Sequence, residues 1–197
     1  MSRLRDPQQH DDLLNYQLKR LLALGGAPAI RLCEGRYGVR RFEWRLVAAL
    51  VEDGPMSPSE LSLRTHVEQA RVSHAITGLA AKGLVERREH ASDRRRATVA
   101  ATSAGARLYA ELFPQLARIN RQIMAVLDER EALLLEHYLQ RLTDRAQRIY
   151  DEGGGTDARA DRRLGGSRRF WPWRPSESNV SLADAPRRKP SRAHKAA

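Results

Sequence analysis

Ser57-Pro58-Ser59-Glu60-Leu61-Ser62-Leu63-Arg64-Thr65, followed after a gap of three residues by Gln69-Ala70-Arg71-Val72-Ser73-His74-Ala75-Ile76-Thr77-Gly78-Leu79, is the stretch that decides the fold. A serine before a proline, with a glutamate three residues after the serine, is a helix start. The hydroxyl accepts a backbone N–H, proline's missing N–H costs nothing in the first turn, and the glutamate reaches back to the serine amide. A short helix is therefore predicted from Pro58 to about Thr65. Val72, Ala75, Ile76 and Leu79 then recur at i, i+3, i+4 and i+7 in a new phase. Two short helices joined by a tight turn are a helix-turn-helix.

With those four residues buried, a wheel of 100° per residue puts Ala70, Ser73, His74, Thr77 and Ala81 on the opposite face and Gln69 and Arg71 at its margins. Such a face suits the major groove of DNA. Small residues let the backbone come close, Ser, Thr and Gln can read base edges, and Arg71 can reach guanine or phosphate. The candidate recognition residues are thus Gln69, Ala70, Arg71, Ser73, His74 and Thr77. Gly78, in mid-helix, costs roughly 1 kcal/mol relative to alanine.

Downstream, Gly83 stands where a helix C-terminal glycine belongs. Leu84 to Arg88 begins a strand, Ala97 to Ala100 is a return strand, and the charged Ala91 to Arg96 makes the hairpin tip. Thr102 or Ser103 caps a helix in which Leu108, Leu112, Leu116, Ile119, Ile123 and Val126 follow near-heptad spacing, with Pro114 expected to kink it. Asp128 and Glu131 resemble another cap, ahead of a stripe of Leu135, Tyr138, Leu139, Leu142, Ala146 and Ile149.

Upstream, Leu14, Leu18, Leu21 and Leu22 are helical in spacing. Gly25-Gly26 and Pro28 interrupt them before Ile30, Leu32 and Cys33, which reads as a kinked or two-part helix. Phe42, Leu46, Ala49 and Leu50 share one side of a second helix that stops at Asp53-Gly54-Pro55. The fold class is mainly α with a small β-hairpin wing. Residues 1–12 are expected to be flexible, and from Gly153 to residue 197 Gly, Pro, Ser and Arg prevail without periodicity, the signature of a disordered basic tail.

The chain of 197 residues carries 35 Lys and Arg against 24 Asp and Glu, a net +11 that suits a polyanionic partner. Up to residue 152 there are 24 basic and 20 acidic residues, net +4, and the remainder holds 11 and 4, net +7. Most of the excess therefore lies in the tail, where Arg168-Arg169-Phe170-Trp171-Pro172-Trp173-Arg174 mixes cations and aromatics. A single cysteine, Cys33, excludes an intrachain disulfide and a multi-cysteine zinc site. No stretch approaches the ~20 apolar residues of a membrane span, and Met1 to Asp12 lacks the apolar centre of a signal peptide. A cytoplasmic protein without membrane attachment is expected. The six histidines show no metal-ligand spacing, and there is no nucleophile elbow or phosphate-cradling loop. No enzymatic role, catalytic residue, cofactor or metal is expected.

The sequence resembles the multiple-antibiotic-resistance regulator (MarR) family over about Leu13 to Ile149. The resemblance is carried by Glu43-Trp44-Arg45, Ser59-Glu60-Leu61, Lys82-Gly83-Leu84-Val85-Glu86-Arg87, and Asp93-Arg94-Arg95 followed by Val99 and Thr102 to Gly105. A leucine usual before the Thr-x-x-Gly is Ala101 here. The resemblance implies a domain over residues 13–152, with dimerisation helices at 13–37 and 103–150 around a winged DNA-binding lobe at 40–101. In the wing it implies that Arg95 enters the minor groove, that Asp93 orients it, and that Arg94 and Arg96 contact phosphates. It also implies a homodimer on an inverted-repeat operator in double-stranded DNA, and a small aromatic or phenolic effector in a pocket lined by Tyr16, Arg20, Trp44 and Phe113. The resemblance also makes Cys33 a candidate peroxide-sensing thiol, as in some members of the family, whereas a lone helical cysteine is more often packing. Two other classes are open at this point: a nucleic-acid compaction protein without sequence preference, and an adaptor using the winged helix for protein contacts.

Overall fold

The structure is a computed structural model that describes residues 1–90 and 93–153, the side chains of residues 89–97 excepted. The expected tail, from residue 154 onward, lies outside the described residues. The elements are α1 (Leu14–Tyr37), α2 (Arg41–Glu52), α3 (Pro58–Thr65), α4 (Gln69–Ala81), β1 (Val85–His90), β2 (Asp93–Ala101), α5 (Ser103–Met124) and α6 (Glu129–Asp151). A single 3-10 turn at His10–Asp12 precedes α1. Residues up to Ala125 form one compact unit, and α6 belongs to a second.

In the first unit the main core joins Leu46, Val47, Ala49 and Leu50 of α2, Leu61 of α3, Val72, Ala75, Ile76 and Leu79 of α4, and Val85 and Val99 of the hairpin. The α4 stripe is buried as its spacing predicts, with each of the four residues at most 2% exposed. A smaller cluster holds Cys33, Val39, Leu108 and Leu112, where α5 packs on α1 and α2. Helix α1 runs unbroken for 24 residues through Gly25, Gly26 and Pro28, not in two parts. Packing of α1 on α2 and α5 offsets the local cost of the proline, and Gly26 gives the Arg41 side chain room to lie against the helix.

The hairpin is antiparallel, pairing Val85 with Ala101, Arg87 with Val99 and His90 with Asp93. Its second strand begins at Asp93, earlier than the apolar Ala97 expected from composition. A two-stranded wing covered by solvent needs backbone pairing but no apolar alternation. Met56 adds a one-residue bridge to Val99, with N–H···O distances of 3.0 and 2.7 Å. The base of the hairpin is tied to α5 by Thr102. Its amide donates to the Leu84 carbonyl at 3.1 Å, its hydroxyl donates to the Gly83 carbonyl at 2.6 Å, and the same oxygen accepts the Gly105 amide at 3.1 Å as the helix cap. Gly83 itself has φ +68°, a left-handed conformation that glycine adopts without strain.

The turn between α3 and α4 is closed by His66, the one described non-glycine residue with positive φ, at 52°. The Val67 amide donates to Ser62 O at 3.2 Å, the Ser62 hydroxyl donates to Val67 O at 2.6 Å, and the Arg45 guanidinium donates to the Thr65 carbonyl. Partial desolvation, then Arg45 and Arg64 nearby, push the His66 pKa below its ordinary value. Burial likewise raises the Cys33 thiol pKa, against the pull of Arg41, and favours the unreactive protonated form.

A Cβ at Gly105 would overlap the Leu84 carbonyl, a backbone atom that cannot step aside. Gly105→Ala should therefore lower stability by about 1–3 kcal/mol, whereas Gly78→Ala, with open space around it, should raise it by up to about 1 kcal/mol. Urea midpoints at unchanged m-value decide both signs. Because the folded state favours neutral His66, stability is whole above the unfolded histidine pKa near 6.5 and declines as pH falls through the lowered folded value. His66→Asn, which keeps a residue tolerant of the left-handed turn, should flatten the fall in melting temperature between pH 7.5 and 5.5. An unchanged fall would assign the pH dependence to other groups.

Candidate nucleic-acid interface

Helix α3 begins as its sequence dictates: Ser57 Oγ accepts the Glu60 amide at 3.2 Å and Glu60 Oε2 accepts the Ser57 amide at 2.8 Å. Those bonds, the backbone one foremost, hold the Glu60 pKa below the usual carboxylate range. With α3 fixed and the apolar side of α4 in the core, Ala70, Ser73, His74 and Thr77 are left exposed. The Thr77 hydroxyl lies 3.4 Å from Ser73 O, a long contact that leaves it available to a partner.

The two marginal residues are held by neighbours that the helical wheel does not reveal. Gln69 Nε2 donates to Ser59 Oγ at 2.9 Å, tying the start of α4 to the start of α3. The Arg71 guanidinium lies 3.9 Å from the centroid of the Phe42 ring on α2. Both contacts join residues distant in sequence, and no local periodicity announces them. Lys82, at the C-terminal end of α4, donates to Glu43 Oε2 at 3.2 Å and to the Gly38 carbonyl at 2.8 Å, while Glu43 also accepts the Arg40 amide at 2.9 Å. Glu43 is buried, so this bridge anchors the far end of α4 to the beginning of α2.

Positions 93–96 stand at the start of β2, beside the hairpin tip. The side chains of Asp93, Arg94, Arg95 and Arg96, read from sequence as the wing contacts, lie outside the described residues.

Of the four residues named for an effector pocket, the structure brings two together through a third. Trp44 stacks on Tyr109 at 6.4 Å between centroids, and Tyr109 stacks on Phe113 at 5.4 Å. Tyr109, which sequence reasoning missed, also donates its hydroxyl to Glu52 at 2.9 Å, and Glu52 lies 3.8 Å from Arg64 of α3. Trp44 Nε1 is buried with no acceptor among the described residues. Tyr16 instead packs its ring on His10 at 3.9 Å, and Arg20 is exposed one turn further along α1. Among the described residues no group of three His, Cys, Asp or Glu is placed to hold a metal ion, and no helix is long and apolar enough to cross a membrane.

Comparison with known proteins supports the architecture. The MarR family model matches residues 37–96. Over 98 residues the chain is 31% identical to the HTH-type transcriptional repressor NicR of Pseudomonas putida, spanning 50% of this chain and 62% of NicR. Over 100 residues it is 29% identical to the HTH-type transcriptional regulator FarR of Neisseria gonorrhoeae, spanning 51% of this chain and 68% of FarR. Among solved structures, BpsR of Bordetella bronchiseptica, whose DNA binding is regulated by 6-hydroxynicotinic acid, superposes with a TM-score of 0.63 at 22% identity. That match covers 70% of this chain and 98% of BpsR, and at such identity it is a likeness of fold. The capped α3 and the buried stripe of α4 lie within the span that the MarR family model matches, so in this lobe the chain is similar to MarR-family transcriptional regulators both in sequence and in fold.

Proposed function

We propose that this chain is a sequence-specific transcriptional regulator, a cytoplasmic repressor that binds an inverted-repeat operator in double-stranded DNA as a homodimer and releases it on binding a small aromatic effector. The observation that carries the reading is the division of α4 into a face at most 2% exposed and an opposite face of small polar residues open to solvent. A major groove roughly 12 Å wide accepts one helix. The wing then reaches the flanking DNA with Arg95, two positions from Asp93 in β2, where a narrow minor groove rewards an arginine through its negative potential.

Dimerisation is supported by apolar surface on each unit taken separately. On α1, Leu21, Leu22 and Leu24 are 58–68% exposed, and α6 has no buried residue while displaying Leu135, Tyr138, Leu139, Leu142 and Ile149. A soluble monomer rarely leaves so much contiguous apolar surface open, and two-fold pairing covers the same patch on both copies. The effector reading rests on the Trp44–Tyr109–Phe113 stack and the unpartnered indole N–H beside it, a setting that a planar ligand with a hydrogen-bond acceptor would satisfy.

Titrating the full chain at fixed salt against its own upstream DNA and against a random duplex tests the function. The upstream fragment should win. Arg95→Ala should weaken operator binding by about 1–3 kcal/mol per subunit with little change in melting temperature. Equal affinity for both duplexes would favour a compaction protein, and no duplex binding would favour an adaptor. In sedimentation at micromolar concentration the full chain should run as a dimer.

A further inference from the structure

The Arg71–Phe42 contact has a consequence beyond the wheel-based reading of α4. Phe42 lies half-buried on α2 and packs against the main core, so its ring is a fixed surface rather than a mobile one. The Arg71 guanidinium is on that ring at 3.9 Å, within the range of a cation–π contact. Among the described side chains Arg71 has no carboxylate partner, and the residue is exposed. Stacking occupies the face of the guanidinium plane and leaves its N–H edges free, the geometry that meets a phosphate with two parallel hydrogen bonds. The stacking also draws the side chain back toward α2, away from Ala70, Ser73, His74 and Thr77 in the middle of the exposed face. At the margin of a helix lying in the groove, the nearest part of the duplex is the sugar-phosphate strand, not the base edges. The other guanidinium near the ring, Arg40, is 6.0 Å from its centroid and 3.9 Å from Glu43, so Arg71 is the cation that Phe42 orients.

We propose that Phe42 is a positioning residue that holds Arg71 as a preorganised contact to the DNA backbone, and that Arg71 contributes affinity without reading bases. The inference rests on the DNA-binding reading above and extends it to a residue outside the helix-turn-helix.

The test is a double-mutant cycle on the full chain, with affinity for the upstream fragment and for a random duplex measured across a salt series. Arg71→Ala should weaken both duplexes by the same factor and reduce the salt slope by about one unit per protomer. Phe42→Leu keeps apolar bulk but removes the aromatic face, and should weaken both duplexes about two- to fivefold. Phe42→Tyr should restore wild-type affinity, and Phe42→Leu should cost nothing further in the Arg71→Ala background. Arg71→Lys should keep most of the salt slope, because the charge remains, but should weaken both duplexes, because an ammonium lacks the planar fork that stacks on the ring and meets a phosphate with two bonds. Thermal melts of each variant keep a folding defect separate, since a purely structural role would make Phe42→Leu equally costly with or without Arg71.

Loss of the operator-to-random ratio in Arg71→Ala would make Arg71 a base reader and overturn the proposal. Additive losses in the cycle, or wild-type affinity in Arg71→Ala, would overturn it as well. If the wild-type chain prefers the upstream fragment and Arg95→Ala weakens it while the cycle shows no coupling, only the positioning role falls. If the wild-type chain binds no duplex, the DNA-binding reading falls with it.

Discussion

Burial of one face of α4 is the constraint on which the interface depends. Val72, Ala75, Ile76 and Leu79 sit among Leu46, Leu50, Leu61, Val85 and Val99. Each fully buried Val, Ile or Leu side chain contributes about 1.5–3 kcal/mol. A rotation of the helix by one residue would turn through 100°, withdrawing part of that stripe and driving Ser73, His74 or Thr77 toward an apolar core with no partners for their polar atoms. The alternative is several kilocalories worse, so the polar face points outward because the apolar face has nowhere else to go. The exposed polar face of α4 is in this sense a by-product of core packing, and its orientation needs no ligand.

Orientation about the helix axis is only half of the requirement, since the helix must also be held at both ends. At its start, the left-handed His66 turn, the Ser62–Val67 bond and the Gln69–Ser59 bond fix α4 against α3. At its end, Lys82 ties it to Glu43 and to the Gly38 carbonyl. Glu43 is therefore the hinge of two jobs, capping α2 and holding the last turn of α4. The wing is fixed by a different device at its base, where Thr102 joins the Gly83–Leu84 backbone to the first turn of α5. The hairpin is tied to α5 where it leaves the core, and its strands pair outward from Val85 and Ala101 to His90 and Asp93.

What was legible in the sequence follows the range of the interaction. Ser57-Pro58-Ser59-Glu60, the α4 stripe, Gly83, Thr102 and Asp128 each declare an element by local chemistry, and each stands where it was read, Asp128 with a reciprocal bond to Glu131. Of the two alternatives read at Gly25-Gly26 and Pro28, the two-part helix did not appear, because local helix penalties of a few kilocalories are outweighed when a long helix packs on α2 and α5. Met56 carries no pattern, since a one-residue bridge has no period. In the candidate site, the exposed middle of α4 was readable from a wheel, whereas the partners of Gln69 and Arg71 and the linking role of Tyr109 were not. Phe42 and Arg71 are separated by 29 positions, and only the packing of α2 on α4 brings ring and guanidinium together.

The same packing changes what the net charge means. In the winged lobe Arg64 is bonded to Asp53 at 2.6 Å, Arg88 to Glu86 at 2.8 Å, Lys82 to Glu43 at 3.2 Å, and Arg45 to the Thr65 carbonyl. Burial also lowers the pKa of Arg45, with Arg41 adding to the effect. These cations serve the fold, and an anion approaching Arg64, Arg88 or Lys82 meets a neighbouring carboxylate that offsets much of the field within a Debye length of about 8 Å. Arg71 and Arg87 have no carboxylate partner among the described side chains, and Arg94, Arg95 and Arg96 follow one another in the wing strand. Of the 20 acidic residues in the first 152, Glu43, Glu52, Asp53 and Glu86 are the ones paired with these cations, so the net charge of +4 over that span does not say which cations are left unpaired. For a helix entering a groove, the charges that count are those left unpaired at its margins, and packing selects which ones those are.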